Sequence, residues 1–277
     1  MKQYLKKLLK LVGAYHLLQS NYRQLLFAIK KISCRISYAK YKGAGFECNC
    51  CGASYSRFVP DHPTAENENA LKVNAVVAGY GENILCPACL STARERLIIA
   101  LLNNQFKITG KKILHFSPEK NIYQFIKVNN EVITADIEPL FYKNIDSNIK
   151  NEDATCLSYA DNSFDVVIGN HIMEHIPNDI KAMAEIYRVL KPGARAILQV
   201  PYSAILSATI EERGINDPQK QAALFGQKDH VRIYQLQNYL GRLQSCGFNV
   251  ALIEYKDLAA FYKNAIQVNE CFISILK

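Results

Sequence analysis

The first 46 residues contain no aspartate or glutamate, although they hold eight lysines (2, 6, 7, 10, 30, 31, 40, 42) and two arginines (23, 35). The formal charge of the whole 277-residue chain is +8, so removing those ten charges leaves −2 for residues 47–277. The net basic character belongs to an N-terminal arm and not to the body. No uncharged apolar run reaches about 18 residues, which argues against a transmembrane helix. Lys10 interrupts the one N-terminal apolar stretch and no small-residue cleavage site follows it, so a secretory signal is not expected. Internal repeats and low-complexity tracts are also missing. Cysteine is not scarce: nine are present, and without a signal they read as reduced thiols or metal ligands rather than disulfides. A 49% hydrophobic share supports a sizeable core, and the length allows one domain of about 150–200 residues plus an appendage.

Residues 161–201 organise the rest. FDVVIGN (164–170) is short, apolar and β-branched after a turn-like Asp161-Asn162-Ser163, as expected of a buried strand. Ile180, Met183, Ala184, Ile186, Tyr187 and Leu190 then recur at helical spacing, with Lys181, Glu185 and Arg188 between them. Lys191-Pro192-Gly193 ends that helix, and ARAILQV (194–200) is the next strand. Strand-helix-strand order predicts a parallel sheet. Around this unit, 92–106 and 234–246 read as helices, and 111–126 as a strand followed by a helix with Ser117 at its N-cap. Residues 131–138, 248–255 and 270–277 read as strands.

Cys48-x-x-Cys51 and Cys86-x-x-Cys89 make two knuckles separated by 34 residues, which lets four thiolates approach one ion tetrahedrally. A closed four-thiolate set implies a structural zinc, with Cys50 as a competing ligand. In residues 1–33, apolar positions Tyr4, Leu5, Leu8, Val12 and Tyr15, then Tyr22, Leu25, Leu26, Ile29 and Ile32, recur at spacings of three and four. One long helix or two shorter ones follow, broken near Gly13 or Ser20-Asn21. Such a basic amphipathic segment would lie on an anionic membrane surface or pack its apolar face on the body. RNA contact is a third option.

The acidic turn, FD strand, HIMEHI, E-x-x-RVLKPG and a strand ending in Pro201 together resemble the second half of class I S-adenosylmethionine (SAM) methyltransferases. Residues 45–250 further resemble a bacterial subgroup with a cysteine-knuckle segment, HFxPE at 115–119 in place of a glycine-rich turn, and GQKDHVRIY at 226–234. The resemblance implies an α/β, Rossmann-like, mainly parallel seven-stranded sheet whose last strand inserts antiparallel beside the sixth. Its divisions would be a basic helical arm (1–42), a zinc-knuckle segment (43–93) and a SAM-binding domain (94–277) with a lid insertion at 202–232. The cofactor would then meet His115, Phe116, Ser117 and Glu119 at the first turn, and Asn170 and His171 after the fourth strand. Asp136, beside Ile137, would accept the ribose hydroxyls, a role its place at the end of the second strand also fits. Asp153 would accept from the adenine amino group, with the Ala154 amide facing the ring.

HIMEH (171–175) also matches the H-x-x-E-H pattern of inverted zinc proteases, which place both histidines on one helical face. Here it leaves a strand directly and Pro177 follows, so lining the cofactor and acceptor entrance is the better reading. His230, with Asp229 beside it, is the expected general base, and His175 the second catalytic candidate. Holding the loop by hydrogen bonds is the alternative for Glu174 and His175, and a bond to Asp229 or Arg232 the alternative for His230. The acceptor is expected to be a small molecule or glycan hydroxyl of a cell-surface glycan or its lipid-linked precursor. Ribosomal RNA is the second acceptor class, although the body lacks an aromatic-basic stacking patch. A non-catalytic SAM-binding or zinc scaffold is the third. The expected location is the cytoplasm, at the inner face of the membrane if the arm binds there.

Overall fold

The computed structural model describes residues 14–277. The first apolar set of the arm (Tyr4 to Val12), its lysines 2, 6, 7 and 10, and the break expected at Gly13 lie outside the described residues. Helix α1 (Ala14–Ser37) runs without interruption through Ser20-Asn21, so that expected break does not occur. It meets the body through Cys34, which packs with Ile84, Leu85, Leu90 and Ala93. Among the described residues, its apolar stripe of Tyr22, Leu25, Leu26, Ile29, Ile32 and Ile36 stays exposed. Among the described residues no helix is long and apolar enough to cross a membrane.

Seven strands form the central sheet: β1 (Lys112–Phe116), β2 (Glu131–Asp136), β3 (Lys150–Asn151), β4 (Phe164–Ile168), β5 (Leu190–Ile197), β6 (Asn249–Ile253) and β7 (Phe272–Leu276). Their order is β3-β2-β1-β4-β5-β7-β6. All neighbours from β3 to β5 are parallel, and β7 lies antiparallel between β5 and β6, as expected. Alternation along each strand sends successive side chains to opposite faces. Leu114, Val167, Ala196 and Leu198 join a core under Ile186, Val189 and Leu243. Ile113, Val166, Ile168 and Ile197 join a second core under Leu97, Ile98, Leu101, Ile122 and Ile126. The sheet is therefore covered on both faces, which is why its strands read as continuous apolar runs.

Among the described residues the α-helices besides α1 are α2 (Ala65–Val73), α3 (Ala93–Asn104), α4 (Lys120–Ile126), α5 (Asp179–Val189), α6 (Pro218–Phe225) and α7 (Leu236–Ser245). Thr92 and Glu95 start α3 with a reciprocal capping box. Gly193 turns the chain at φ +76°, and β5 regains its parallel register with β4 from Arg195.

Tyr202–Ser203, Ile210–Glu211 and Arg232–Gln235 form a small sheet with Val76–Val77 from the cysteine-bearing segment. One of its charged residues turns inward: Arg232 is 1% exposed and donates to the carbonyls of Met173, Ile176 and Pro177 at 2.7, 2.6 and 2.9 Å. Asp179 and Glu211 pair with Arg232 and Arg242 around it. Burial pulls the Glu211 carboxyl up, but Arg242, Arg213 and Arg232 outweigh it and hold it down at about 2. Charge alternation in this segment thus marks a buried clamp on residues 173–177, a pattern that sequence polarity alone reads as solvent-facing.

Candidate functional site

The carboxyl ends of β1, β2 and β4 face one cleft of about 920 Å³, the edge where open α/β sheets place their ligands. At the end of β1, Ser117 adopts φ +43°, a left-handed conformation uncommon outside glycine. The backbone shape a glycine would give is thus reached without one. The Ser117 hydroxyl donates to Asp136 Oδ2 at 2.6 Å, so it does not cap the following helix, contrary to expectation. Helix α4 begins instead after Glu119, which offers no side-chain cap. The second Asp136 oxygen accepts from the Glu138 amide at 2.7 Å. Two donors from different elements therefore fix this carboxylate at the cleft wall.

Glu119 ties the first turn to the strand beside it. Its Oε2 lies 3.1 Å from His115 Nε2, and its Oε1 accepts from Asn170 Nδ2 at 3.2 Å. Arg94, from α3, approaches the same Oε1 at 3.8 Å and also lines the cleft. Phe116, Ser117, Glu119, Asp136, Ile137, Asp153, Ala154, Asn170 and His171 all line it as well. His115 does not: its side chain is fully buried behind the turn, where it holds Glu119. Asp153 Oδ1 accepts from the amide and hydroxyl of Thr155, each at 2.8 Å.

The HIMEH segment leaves β4 through His171, itself at φ +50°, and makes one short 3-10 turn over Met173–His175. No long helix carries the motif, which removes the protease geometry. His171 and His175 line the cleft. His175 Nδ1 lies 3.3 Å from the Asp229 carbonyl oxygen and 3.5 Å from its carboxylate, so Asp229 orients His175 rather than His230. His230 is 3% exposed, is absent from the cleft wall, and has no hydrogen bond at Nε2. Burial, and then His175, push its pKa down to about 3. A general base near neutrality was expected there, and the site denies it both solvent and access.

Glu174 departs furthest from expectation. It is 1% exposed, and neither carboxylate oxygen has a hydrogen-bond partner, so it does not hold the loop by hydrogen bonds. Desolvation raises its pKa to about 7. His171 Nδ1 stands 3.6 Å and His230 Nε2 4.0 Å from the same Oε1. Sequence spacing showed His171, Glu174 and His175; the arrival of His230 from 55 residues further on is a tertiary fact.

The cysteines meet as expected. Cys48 and Cys89 sulfurs are 3.6 Å apart, Cys51 and Cys86 sulfurs 3.8 Å, and all four lie within 4.8 Å of one another. Cys50 points its thiol to Asn49 and stays outside the set. Ser91 adds its hydroxyl 3.1 Å from Cys48 and 3.2 Å from Cys89. Beneath them Arg96, fully buried, donates to five carbonyls, those of Ser91, Asn83, Ile84, Asn264 and Ala265. Both Arg94 and Arg96 belong to a helix that reads in sequence as a connector only.

Residues 119–198 match the methyltransferase-domain family. Among curated proteins, the chain is 44% identical over 55 residues to the ubiquinone/menaquinone biosynthesis C-methyltransferase UbiE of Hydrogenovibrio crunogenus, covering 20% of this chain and 21% of that protein. It is 32% identical over 75 residues to phosphoethanolamine N-methyltransferase 2 of Caenorhabditis elegans, covering 26% and 17%. The chain thus spans about a fifth of the length of the curated relatives it matches. Among solved structures, a putative SAM-dependent methyltransferase of Listeria monocytogenes superposes with TM-score 0.48 at 13% identity, over 67% of this chain and 98% of that one.

Proposed function

We propose that the protein is a SAM-dependent methyltransferase whose cofactor occupies the cleft at the ends of β1, β2 and β4. The observation that carries this reading is Asp136, fixed by Ser117 and the Glu138 amide at the end of β2, where two vicinal ribose hydroxyls require a carboxylate acceptor. The match of residues 119–198 to the methyltransferase-domain family supports it independently. Charge agrees as well. Six carboxylates line the cleft (Glu119, Asp136, Glu138, Glu152, Asp153, Asp229), facing the single guanidinium of Arg94. SAM carries a sulfonium and an ammonium against one carboxylate, so an acidic cleft suits it.

In the reaction, an acceptor lone pair forms a bond to the sulfonium methyl carbon while the carbon–sulfur bond breaks. Its electrons remain on sulfur, leaving S-adenosylhomocysteine. The sulfonium supplies the reactivity, so the protein's share is in-line alignment and exclusion of water. A hydroxyl acceptor must also lose its proton, and with His230 buried this falls to His171 and His175, which line the cleft.

For the acceptor, a hydroxyl of a cell-surface glycan or its lipid-linked precursor is the proposal. The support is the exposed apolar stripe of α1 on a segment with ten basic and no acidic residues, a surface suited to bringing the enzyme to an anionic bilayer. The curated relatives are named as methylating carbon and nitrogen, which makes those atoms the competing acceptors. Incubation with methyl-labelled SAM and separated lipid-linked glycan, quinone and RNA fractions decides among them. Label in the glycan fraction is expected; label confined to another fraction replaces this acceptor.

A structural zinc at Cys48, Cys51, Cys86 and Cys89 completes the proposal. Tetrahedral coordination with 2.3 Å zinc–sulfur bonds requires sulfurs about 3.8 Å apart, and the two closest pairs stand at 3.6 and 3.8 Å. With four thiolates the site would be closed to substrate, so its role is to hold the knuckle together.

A further inference from the structure

A buried carboxylate without hydrogen bonds is costly and rare, and calls for a partner that protein atoms do not supply. Glu174 is such a group, with both oxygens unpartnered at 1% exposure. What surrounds it is a set of imidazoles: one ligand atom from each of Glu174, His175 and His230 fall within 4.8 Å of one another. The rings of His175 and His230 meet edge to face, with centroids 4.7 Å apart. His171 Nδ1 flanks Glu174 at 3.6 Å, and His230 Nε2 is another buried atom without a partner.

From this geometry we propose that Glu174, His175 and His230 bind a divalent transition-metal ion, with His171 as an adjacent fourth donor. One carboxylate and two or three imidazoles suit manganese, iron, cobalt or zinc, whereas magnesium and calcium favour sites built mainly of oxygen. Ion pairing among the residues themselves is a poorer account. The ring nitrogens of His171 and His230 stand 3.6 and 4.0 Å from the Glu174 oxygen, beyond hydrogen-bond reach. A cation instead neutralises the carboxylate while the rings coordinate it uncharged. Supports behind the ligands are already in place. Asp229 holds His175 Nδ1, a backbone hydrogen bond at Phe225 engages His230, and Arg232 clamps the carbonyls on either side of Glu174.

His171 and His175 also line the cleft, so the ion would sit where the cofactor cleft meets the acceptor entrance. With three or four protein donors, a coordination position remains for an acceptor oxygen, whose hydroxyl proton such an ion would make more acidic. That role rests on the methyl-transfer reading; the binding of the ion does not.

The test uses the full chain, dialysed against chelator and resupplied with one equivalent of zinc for the thiolates. Mn²⁺ is then titrated and followed by loss of the free-ion electron paramagnetic resonance signal, since thiolates bind manganese poorly. SAM affinity is measured on the same samples. One Mn²⁺ per chain is expected, with affinity at least tenfold weaker in Glu174→Gln and in His230→Gln. Glu174→Gln should also unfold at the same or a higher temperature than wild type without Mn²⁺, because it removes an uncompensated carboxylate, and so remains informative if His230→Gln fails to fold. Wild type that binds no Mn²⁺, or Glu174→Gln that binds it equally well, overturns the proposal. SAM binding without Mn²⁺ binding rejects the metal site alone, and the reverse result rejects the cofactor reading alone.

Discussion

Ser117 donates a 2.6 Å hydrogen bond to Asp136, joining the turn after β1 to the end of β2 across 19 residues of sequence. The Glu138 amide holds the other oxygen of the same carboxylate. Ser117→Ala removes one of two positioning bonds while keeping the side chain short. The expected effect is a loss of about 1 kcal/mol in SAM binding, roughly fivefold in affinity, with an unchanged unfolding temperature. Calorimetric titration of the variant checks it, and unaltered affinity would show that Asp136 is not poised by Ser117.

At the cysteine cluster, Cys86→Ser should release the zinc and lower the unfolding temperature. Cys50→Ser and Cys156→Ser should retain it, because Cys50 turns to Asn49 and Cys156 lies exposed outside the set. Metal content after gel filtration reads the result directly. A wild-type protein that is metal-free yet fully stable would remove the zinc.

Arg232 is buried and paired with Asp179 and Glu211 while donating to three carbonyls of the 173–177 turn. Arg232→Met takes the guanidinium donor from the Ile176 and Pro177 carbonyls and removes the fully buried arginine from Asp179 and Glu211, which keep Arg242, and a cost of about 3–5 kcal/mol follows. Denaturant titration measures it. A variant within 1 kcal/mol of wild type, on the scale of an exposed ion pair, would show that the clamp carries little energy.

Glu270 is buried, and desolvation raises its pKa to about 7. In the unfolded chain the same carboxyl titrates near its ordinary value of about 4.3. Between those two pH values the folded state retains a proton that the unfolded state has lost, so stability falls as pH rises and levels off above about 7. Glu270→Gln should therefore gain on wild type across that window, by at most about 4 kcal/mol. Parallel unfolding curves at pH 5 and pH 7.5 test this; a constant difference between the two proteins contradicts it.

Deleting residues 1–40 should leave SAM binding intact and reduce attachment to anionic vesicles. Each basic residue near such a surface contributes roughly 1 kcal/mol, so attachment by the full chain should also weaken steeply with salt. Co-sedimentation with phosphatidylserine vesicles reads this. Full-chain binding to RNA fragments with vesicles ignored would replace the membrane reading.

What was legible in the sequence follows from where the information is local. Strand β4, helix α5 and strand β5 could be read because burial on both faces of a parallel sheet writes a continuous apolar run, and an amphipathic helix writes its own period. Asp136 was legible by its place after a strand, and the four cysteines by their paired spacing. Ser117 was misplaced because a serine before proline and glutamate is a good N-cap in isolation, whereas the nearby Asp136 carboxylate is the stronger partner for its hydroxyl. His230 reads in sequence as a general base because an imidazole titrates near neutrality and Asp229 stands beside it. The fold instead drives His230 and Arg232 inward beneath residues 173–177, and only Asp229 reaches the cleft. The unpartnered state of Glu174 has no sequence signature, since it depends on what residues distant in the chain fail to provide.

The central claim is that the cleft holds SAM by way of Asp136, and isothermal titration of the 277-residue chain with SAM and with S-adenosylhomocysteine tests it most directly. The account predicts one site per chain for each ligand. Asp136→Ala should weaken both by roughly 30- to 1,000-fold, the loss of charge-assisted bonds worth about 2–4 kcal/mol, without change in unfolding temperature. Wild-type protein that binds neither ligand, or an Asp136→Ala variant that binds both as tightly as wild type, would contradict it.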